Sequence, residues 1–144
     1  MGRLSDLGLS LTDLLPHREP MVLVEEILEV DRTVAQTRST VRTSWPLAES
    51  DGVQPLVLIE LAAQTAGVCN GWDRINTKGP DSEKMGYLVG VKRARLPEEL
   101  LGYGQRLLVR AENKHDFGNL REVFCTVSRE DEVIAEITLQ LFQA

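Results

Sequence analysis

The chain has few of the residues on which metal sites and disulfide frameworks depend. Two of its 144 residues are histidine, two are cysteine, and aromatic residues make up 5%. Cys69 and Cys125 lie far apart and neither belongs to a CxxC motif, so we expect no disulfide framework and no metal site. This cysteine usage is typical of a reducing compartment, and the first residues form no apolar signal core. The sequence therefore predicts a cytoplasmic protein.

An excess of positive charge is also absent. Sixteen Lys and Arg residues stand against 22 Asp and Glu residues, for a net charge of −6. We therefore expect no nucleic-acid partner. The longest apolar stretch, residues 56–72, is shorter than the roughly 20 residues of a membrane span and includes polar residues, so we expect no membrane partner. The length predicts a single domain over residues 1–144.

The common catalytic signatures are missing as well. Residues 86–90 (GYLVG) are not a dinucleotide-binding fingerprint, and the chain includes no GxSxG motif. With only two histidines, a Ser-His-Asp triad has few ways to form. We expect no bound cofactor.

Strand-like runs occur on both sides of the apolar stretch, two in residues 14–43 and four in residues 85–142. In residues 133–141 apolar and polar side chains alternate, which is typical of a strand with one face in water. Residues 115–119 separate two such runs and predict a hairpin turn with His115 exposed. The last three strands are predicted to form an antiparallel meander.

Residues 56–72 show no alternation and predict a helix. A helix that is apolar nearly all round packs in the middle of a domain. Pro55 suits its first turn and Gly71 suits its end, and the polar residues 73–84 that follow predict a loop. The order of elements predicts an α+β domain, in which five to six antiparallel strands wrap around one helix.

Glu60 is the one carboxylate inside this helix, and Gln64 lies one turn later on the same side. A buried carboxylate suits proton transfer as a general acid or base. The alternative is a glutamate at the edge of the helix, facing water. Because a surrounding sheet leaves little solvent for any face, we expect Glu60 to be mostly buried, near a subunit interface.

A basic segment follows the helix. Residues 84–110 have six basic and two acidic side chains, a local charge of +4 within a chain of −6. This pattern has two interpretations, a solvated strand face or a docking surface for an acidic partner. Lys92, Arg93 and Arg95 are the candidate docking residues.

Three stretches resemble the FabZ-type 3-hydroxyacyl-[acyl-carrier-protein] dehydratases. Residues 14–24 (LLPHREPMVLV) resemble the opening segment of that family, residues 54–67 (QPLVLIELAAQTAG) its central-helix motif, and residues 87–95 (YLVGVKRAR) the strand that follows. The similarity runs from about Leu11 to Phe142, which is nearly the whole chain. The resemblance implies a hotdog fold, with the sheet wrapped around the helix and a dimer as the minimal unit.

The resemblance also implies an activity. Family members remove water from a 3-hydroxyacyl thioester on an acyl carrier protein and give the trans-2-enoyl product. A histidine and a helix carboxylate from facing subunits transfer the protons, and backbone N–H groups at the helix start polarise the thioester carbonyl. The resemblance makes Glu60 the carboxylate and acyl carrier protein a partner. The implied substrate-binding residues are Gln64, Leu56, Leu88 and Gly90.

Two positions depart from the family pattern. The family's catalytic histidine precedes the carboxylate in a loop, and here residues 44–53 (SWPLAESDGV) hold none. The helix-start glycine that offers its N–H aligns with Pro55, which has no N–H, and leaves Leu56 as the substitute. The combination resembles the divergent dehydratase-type proteins of aryl polyene gene clusters, in which such a protein accompanies a complete dehydratase.

His17 is the histidine left for catalysis, because His115 falls in the predicted hairpin turn. The alternative is that His17 hydrogen-bonds loop backbone. Three functions stay open at this point. The chain is a dehydratase-like enzyme with Glu60 and His17, or a catalytically weak subunit that pairs with an active hotdog dehydratase, or an acyl thioesterase, since one fold hosts several chemistries. The expected assembly is a homodimer or a hetero-oligomer with another hotdog subunit.

Overall fold

The computed structural model describes residues 11–15, 21–79, 81 and 86–143. These residues form a short helix, a long helix and six strands, in the order expected for an α+β domain. The elements are α1 (Leu11–Leu14), β1 (Glu26–Val30), β2 (Val34–Thr40), α2 (Val57–Lys78), β3 (Gly86–Arg95), β4 (Arg106–Phe117), β5 (Leu120–Arg129) and β6 (Glu132–Gln143).

The six strands form one antiparallel sheet in the order β1-β2-β4-β5-β6-β3. Strands β4, β5 and β6 follow one another through short turns and make the predicted meander. Strand β3 precedes them in the chain but lies at an edge of the sheet, where β6 is its one partner among the described strands. A six-stranded antiparallel sheet with one long helix confirms the predicted hotdog fold.

Helix α2 packs on one face of the sheet, chiefly against β4 and β2. Alternate side chains of these strands point to the helix and are buried, as Ala35 and Val109 show. The hydroxyl groups of Thr37 and Thr65 form a hydrogen bond across this interface, with their oxygen atoms 2.9 Å apart. No helix in the described part of the chain has the length and apolar character needed to cross a membrane.

The long helix continues beyond its predicted end. It runs to Lys78, so the predicted loop over residues 73–84 is wrong for its first part. Asn76 and Thr77 lie in the extra turn, and their side chains donate to helix carbonyl oxygens four residues earlier. The helix ends at Gly79, which has a φ of 92°, a value that favours glycine.

Gly71 lies inside the helix and does not end it, contrary to the prediction. A Cβ atom at this position would lie 2.4 Å from the carbonyl oxygen of Leu14. Glycine is therefore required here for α1 to lie directly against α2. Glycine is common at helix ends, and for this reason the sequence predicted the end of the helix at Gly71. The glycine is instead required by the close approach of the Leu14 backbone.

The predicted hairpin exists, with a tighter turn than expected. Strand β4 continues to Phe117, and the turn consists of residues 118–119 with Gly118 at a φ of 71°. His115 pairs with Glu122 across the two strands and is exposed, as predicted.

A buried ion pair holds the last turns of α2 against the sheet. Arg121 on β5 donates to Asp73 Oδ2 at 2.8 Å and also to Asn70 Oδ1. Asp73 is buried, and most of the Arg121 side chain is also withdrawn from water. The partner that keeps polar Asp73 in a helix thus comes from a strand distant in the sequence.

We expect Arg121→Met to lower the free energy of unfolding by about 3 kcal/mol, because it leaves a buried carboxylate without its cation. The matched control is Arg95→Met, which removes the ion pair with Glu136 on the exposed face of the sheet. The control should lose less than about 1 kcal/mol. Urea unfolding followed by circular dichroism measures both values, and equal losses would contradict the role of the buried pair.

Candidate active site

Glu60 lies in the first turns of α2 and is half-buried in the single chain. The chain enters the helix through a tight turn, in which the N–H groups of Val57 and Leu58 donate to the carbonyl oxygens of Gln54 and Pro55. These bonds use i+3 spacing, which is common at helix ends. The head of the helix is thereby fixed, with Glu60 one turn inside it.

Leu56 is the residue immediately before α2, and it is 57% exposed. Within the described residues, no acceptor takes its N–H. Leu56 and Glu60 are four residues apart, so both lie on the same side of the helix head. The side chain of Glu60 and the exposed residue that begins the helix therefore lie close to each other at the helix head.

Gln64 is completely buried, and its side-chain amide forms three hydrogen bonds. Its Nε2 donates to Glu60 Oε1 at 3.1 Å and to the carbonyl oxygen of Met21 at 2.7 Å. Its Oε1 accepts the N–H of Leu23 at 2.8 Å. One side chain thus ties the carboxylate to the segment that precedes β1.

This arrangement limits what Gln64 has left for a substrate. A glutamine amide has two N–H donors and two lone pairs on its oxygen, and the chain itself uses both donors and one lone pair. Substrate contact by Gln64 stays a prediction, since the side chain is completely buried in the single chain. The contacts that the structure does give are positional.

His17 lies in residues 16–20, outside the described residues, and its role stays a prediction. The described residues on each side of residues 16–20 are held by contacts with the rest of the chain. Leu15 is buried, and Met21 and Leu23 are bonded to Gln64. Sequence reasoning did not find the part played by Met21 and Leu23, because their main-chain groups, which carry no sequence signal, make the bonds.

Leu88 and Gly90 lie on edge strand β3, apart from the hydrogen-bonded group around Gln64. Leu88 and Val91 pair with Leu141 and Leu139 of β6, so they share the inner face of the sheet with core residues. Leu88 is nevertheless 43% exposed and Val91 41% exposed. The core face therefore continues onto β3 without cover from the described chain.

The predicted docking residues also lie on β3, and the sheet neutralises two of them. Lys92 pairs with Glu122 at 3.1 Å and Arg95 pairs with Glu136. Arg93 is exposed and forms no ion pair with any described residue. A count along the sequence missed the two carboxylates because they come from neighbouring strands.

The remaining nucleophile candidates do not suit catalysis. Burial raises the pKa of the Cys69 and Cys125 thiols to about 12, so both are protonated near neutral pH. His115 stacks near Phe117, with ring centroids 5.9 Å apart, on the exposed hairpin. Within the described ranges no group of three or more His, Cys, Asp or Glu residues is arranged to hold a metal ion. Glu60 therefore stays the candidate for proton transfer among the described residues.

One family model matches nearly the whole chain. The model of the ApeP-like family, described as ApeP dehydratase, matches residues 9–144. No curated protein sequence matches the chain.

Several proteins of known structure have the same fold. A chain of the dehydratase heterocomplex ApeI:P from Xenorhabdus doucetiae is 26% identical with a TM-score of 0.84, over 94% of this chain and 91% of that one. An uncharacterised protein from Pyrococcus horikoshii is 19% identical with a TM-score of 0.65, over 84% and 83%. The E. coli PaaI protein of the phenylacetic acid degradation operon is 14% identical with a TM-score of 0.62, over 81% of each chain. The last two likenesses show the fold alone.

Proposed function

Because the chain belongs to the ApeP-like family of dehydratases, we propose that it acts on 3-hydroxyacyl thioesters carried by an acyl carrier protein. The product is the trans-2-enoyl thioester, in a pathway of the fatty acid or aryl polyene type. The observation that carries this proposal is the half-buried carboxylate of Glu60, held by the buried amide of Gln64 at an accessible helix head. Both cysteines are free thiols, as a cytoplasmic location allows.

The reaction needs two proton transfers. The C2–H bond breaks and its electron pair forms the C2=C3 double bond, while the C3–O bond breaks and the hydroxyl group leaves as water after it takes a proton. Glu60 performs one transfer. His17, or a histidine of a partner subunit, performs the other, because residues 44–53 contain none.

The thioester carbonyl has a donor at the helix head. The N–H of Leu56 has no acceptor among the described residues, whereas Pro55 has no N–H to offer. A backbone donor aimed at the carbonyl oxygen stabilises the negative charge that develops there when the C2 proton leaves. Leu56 therefore replaces the expected helix-start glycine, and the acyl chain lies along the apolar side chains Leu88 and Val91 once a second subunit covers them.

A second candidate function, that of a partner subunit to a complete dehydratase, is favoured by β3. This strand leaves one main-chain edge unpaired among the described strands and exposes apolar side chains along its inner face. Edges and apolar patches of this kind mark assembly surfaces. The structurally similar ApeI:P protein is itself a dehydratase heterocomplex. We infer that β3 joins this chain to another hotdog subunit, which also supplies the missing histidine if His17 does not act.

We expect Glu60→Gln to lower kcat/KM for a 3-hydroxyacyl carrier-protein substrate by about 10²-fold or more, because the amide cannot transfer the proton. The assay follows enoyl product by mass spectrometry, with the chain alone and with a dehydratase subunit that retains the pre-helix histidine. Glu98→Gln is the control, since it makes the same charge change in an exposed loop. Full activity in Glu60→Gln, or release of free acid in place of enoyl product, would contradict the proposal.

Val91→Glu should prevent assembly, because it places a charge on the uncovered inner face of β3. Val133→Glu is the matched control, since Val133 is 44% exposed and lies on β6 next to a turn. Light scattering after size exclusion, on the chain alone and mixed with the second subunit, measures the assembly. An intact assembly with Val91→Glu, or its equal loss with Val133→Glu, would count against β3 as the interface.

Arg93→Glu should slow association with acyl carrier protein and reduce its salt dependence, because Arg93 is the predicted docking cation that no described carboxylate neutralises. We expect a decrease in the association rate constant of about 10-fold at low salt. Arg32→Glu, on the exposed turn between β1 and β2, is the control. Equal rates for native chain and Arg93→Glu would return the basic segment to the interpretation of a solvated strand face.

A further inference from the structure

One stripe of α2 carries Glu60, Gln64, Gly67 and Gly71. At 100° per residue these four positions fall within an arc of about 60° on the helix surface. The charged head of the stripe is Glu60, and two glycines end it. Neither the proposed proton transfer nor the helix itself requires these glycines, since glycine inside a helix is unfavourable.

Leu14 and Leu15 lie on this stripe. The main chain of Leu14 occupies the space over Gly71, where a Cβ atom would lie 2.4 Å from its carbonyl oxygen. The side chain of Leu15 occupies the space over Gly67, where a Cβ atom would lie 2.7 Å from Leu15 Cδ2. Both leucines are buried. The two glycines therefore set how closely this segment approaches the helix.

Met21 and Leu23 make a second contact with the same stripe. The carbonyl oxygen of Met21 and the N–H of Leu23 are both bonded to the Gln64 amide, which also holds Glu60. The contacts thus follow the helix backwards, from Gly71 to Gly67 and then to Gln64.

We propose that Gln64, Gly67 and Gly71 form a seat that positions the chain at Leu14, Leu15, Met21 and Leu23 relative to Glu60. Gly67 and Gly71 are positioning residues, and this role rests on the proposed dehydration. The sequence between the two anchored parts, Leu15 and Met21, includes His17. The seat is therefore also the part of the described structure that fixes the chain on both sides of that histidine.

The test is Gly67→Ala, because its added methyl group meets the end of a flexible side chain and the fold can adjust. Hydrogen exchange at the Leu23 amide reports the seat directly, since that N–H donates to Gln64. We expect exchange about 10-fold faster than in the native chain, with unchanged exchange in β4 and β5. Asn76→Ala, on the exposed side of the same helix, is the control. It should change hydrogen exchange neither at the Leu23 amide nor in β4 and β5.

Activity supplies the second readout, measured in the complex with the second subunit. Gly67→Ala should lower kcat by about 10-fold with KM within about 2-fold, because misplacement by less than an ångström slows chemistry more than binding. Leu15→Val removes the Cδ atoms that the new methyl group meets. The double variant Leu15→Val with Gly67→Ala should return to within about 3-fold of Leu15→Val alone.

A double-mutant cycle with His17→Ala locates the effect. If the seat acts through His17, Gly67→Ala lowers kcat in the native background and has no further effect in His17→Ala. Unchanged exchange at Leu23 in Gly67→Ala would overturn the proposed seat. An absence of dehydration in the native complex would overturn the proposed function instead, and faster Leu23 exchange with rescue by Leu15→Val would still support the seat.

Discussion

The buried amide of Gln64 is the constraint on which the site depends. A fully buried amide must satisfy its donors and acceptor inside the protein, because each unsatisfied group costs about 1–3 kcal/mol. Gln64 does so with Glu60 on its own helix and with the main chain of Met21 and Leu23. These hydrogen bonds therefore stabilise the fold and also orient the carboxylate of Glu60. They connect residues that lie far apart in the sequence.

Most of the fold was predictable because its signals are local. Alternation along β6 and its absence in residues 56–72 distinguish a half-buried strand from a buried helix, and both predictions are confirmed. The helix end was not predictable, since Asp73 stays helical and buried through Arg121, which lies on β5. Polar residues beyond an apolar run looked like a loop when their distant partner was unknown.

The site was predictable in part, for the same reason. Glu60 and Gln64 are four residues apart in one helix, so their contact follows from helix geometry and is present. The charges of β3 did not follow from the sequence, because Glu122 and Glu136 approach it only through strand pairing. The role of Gly71 was missed as well, since the backbone of Leu14, and not a cap, determines it.

The central claim is that Gln64 holds Glu60 ready for its proton transfer in the proposed dehydration, and deuterium incorporation tests it most directly. Hydration of an enoyl carrier-protein thioester in D₂O, the reverse of the proposed reaction, places deuterium at C2, where mass spectrometry detects it. We expect the native complex to incorporate deuterium, and a folded Gln64→Met variant to do so at least about 10-fold more slowly with Glu60 intact. Equal rates in the two proteins would contradict the claim.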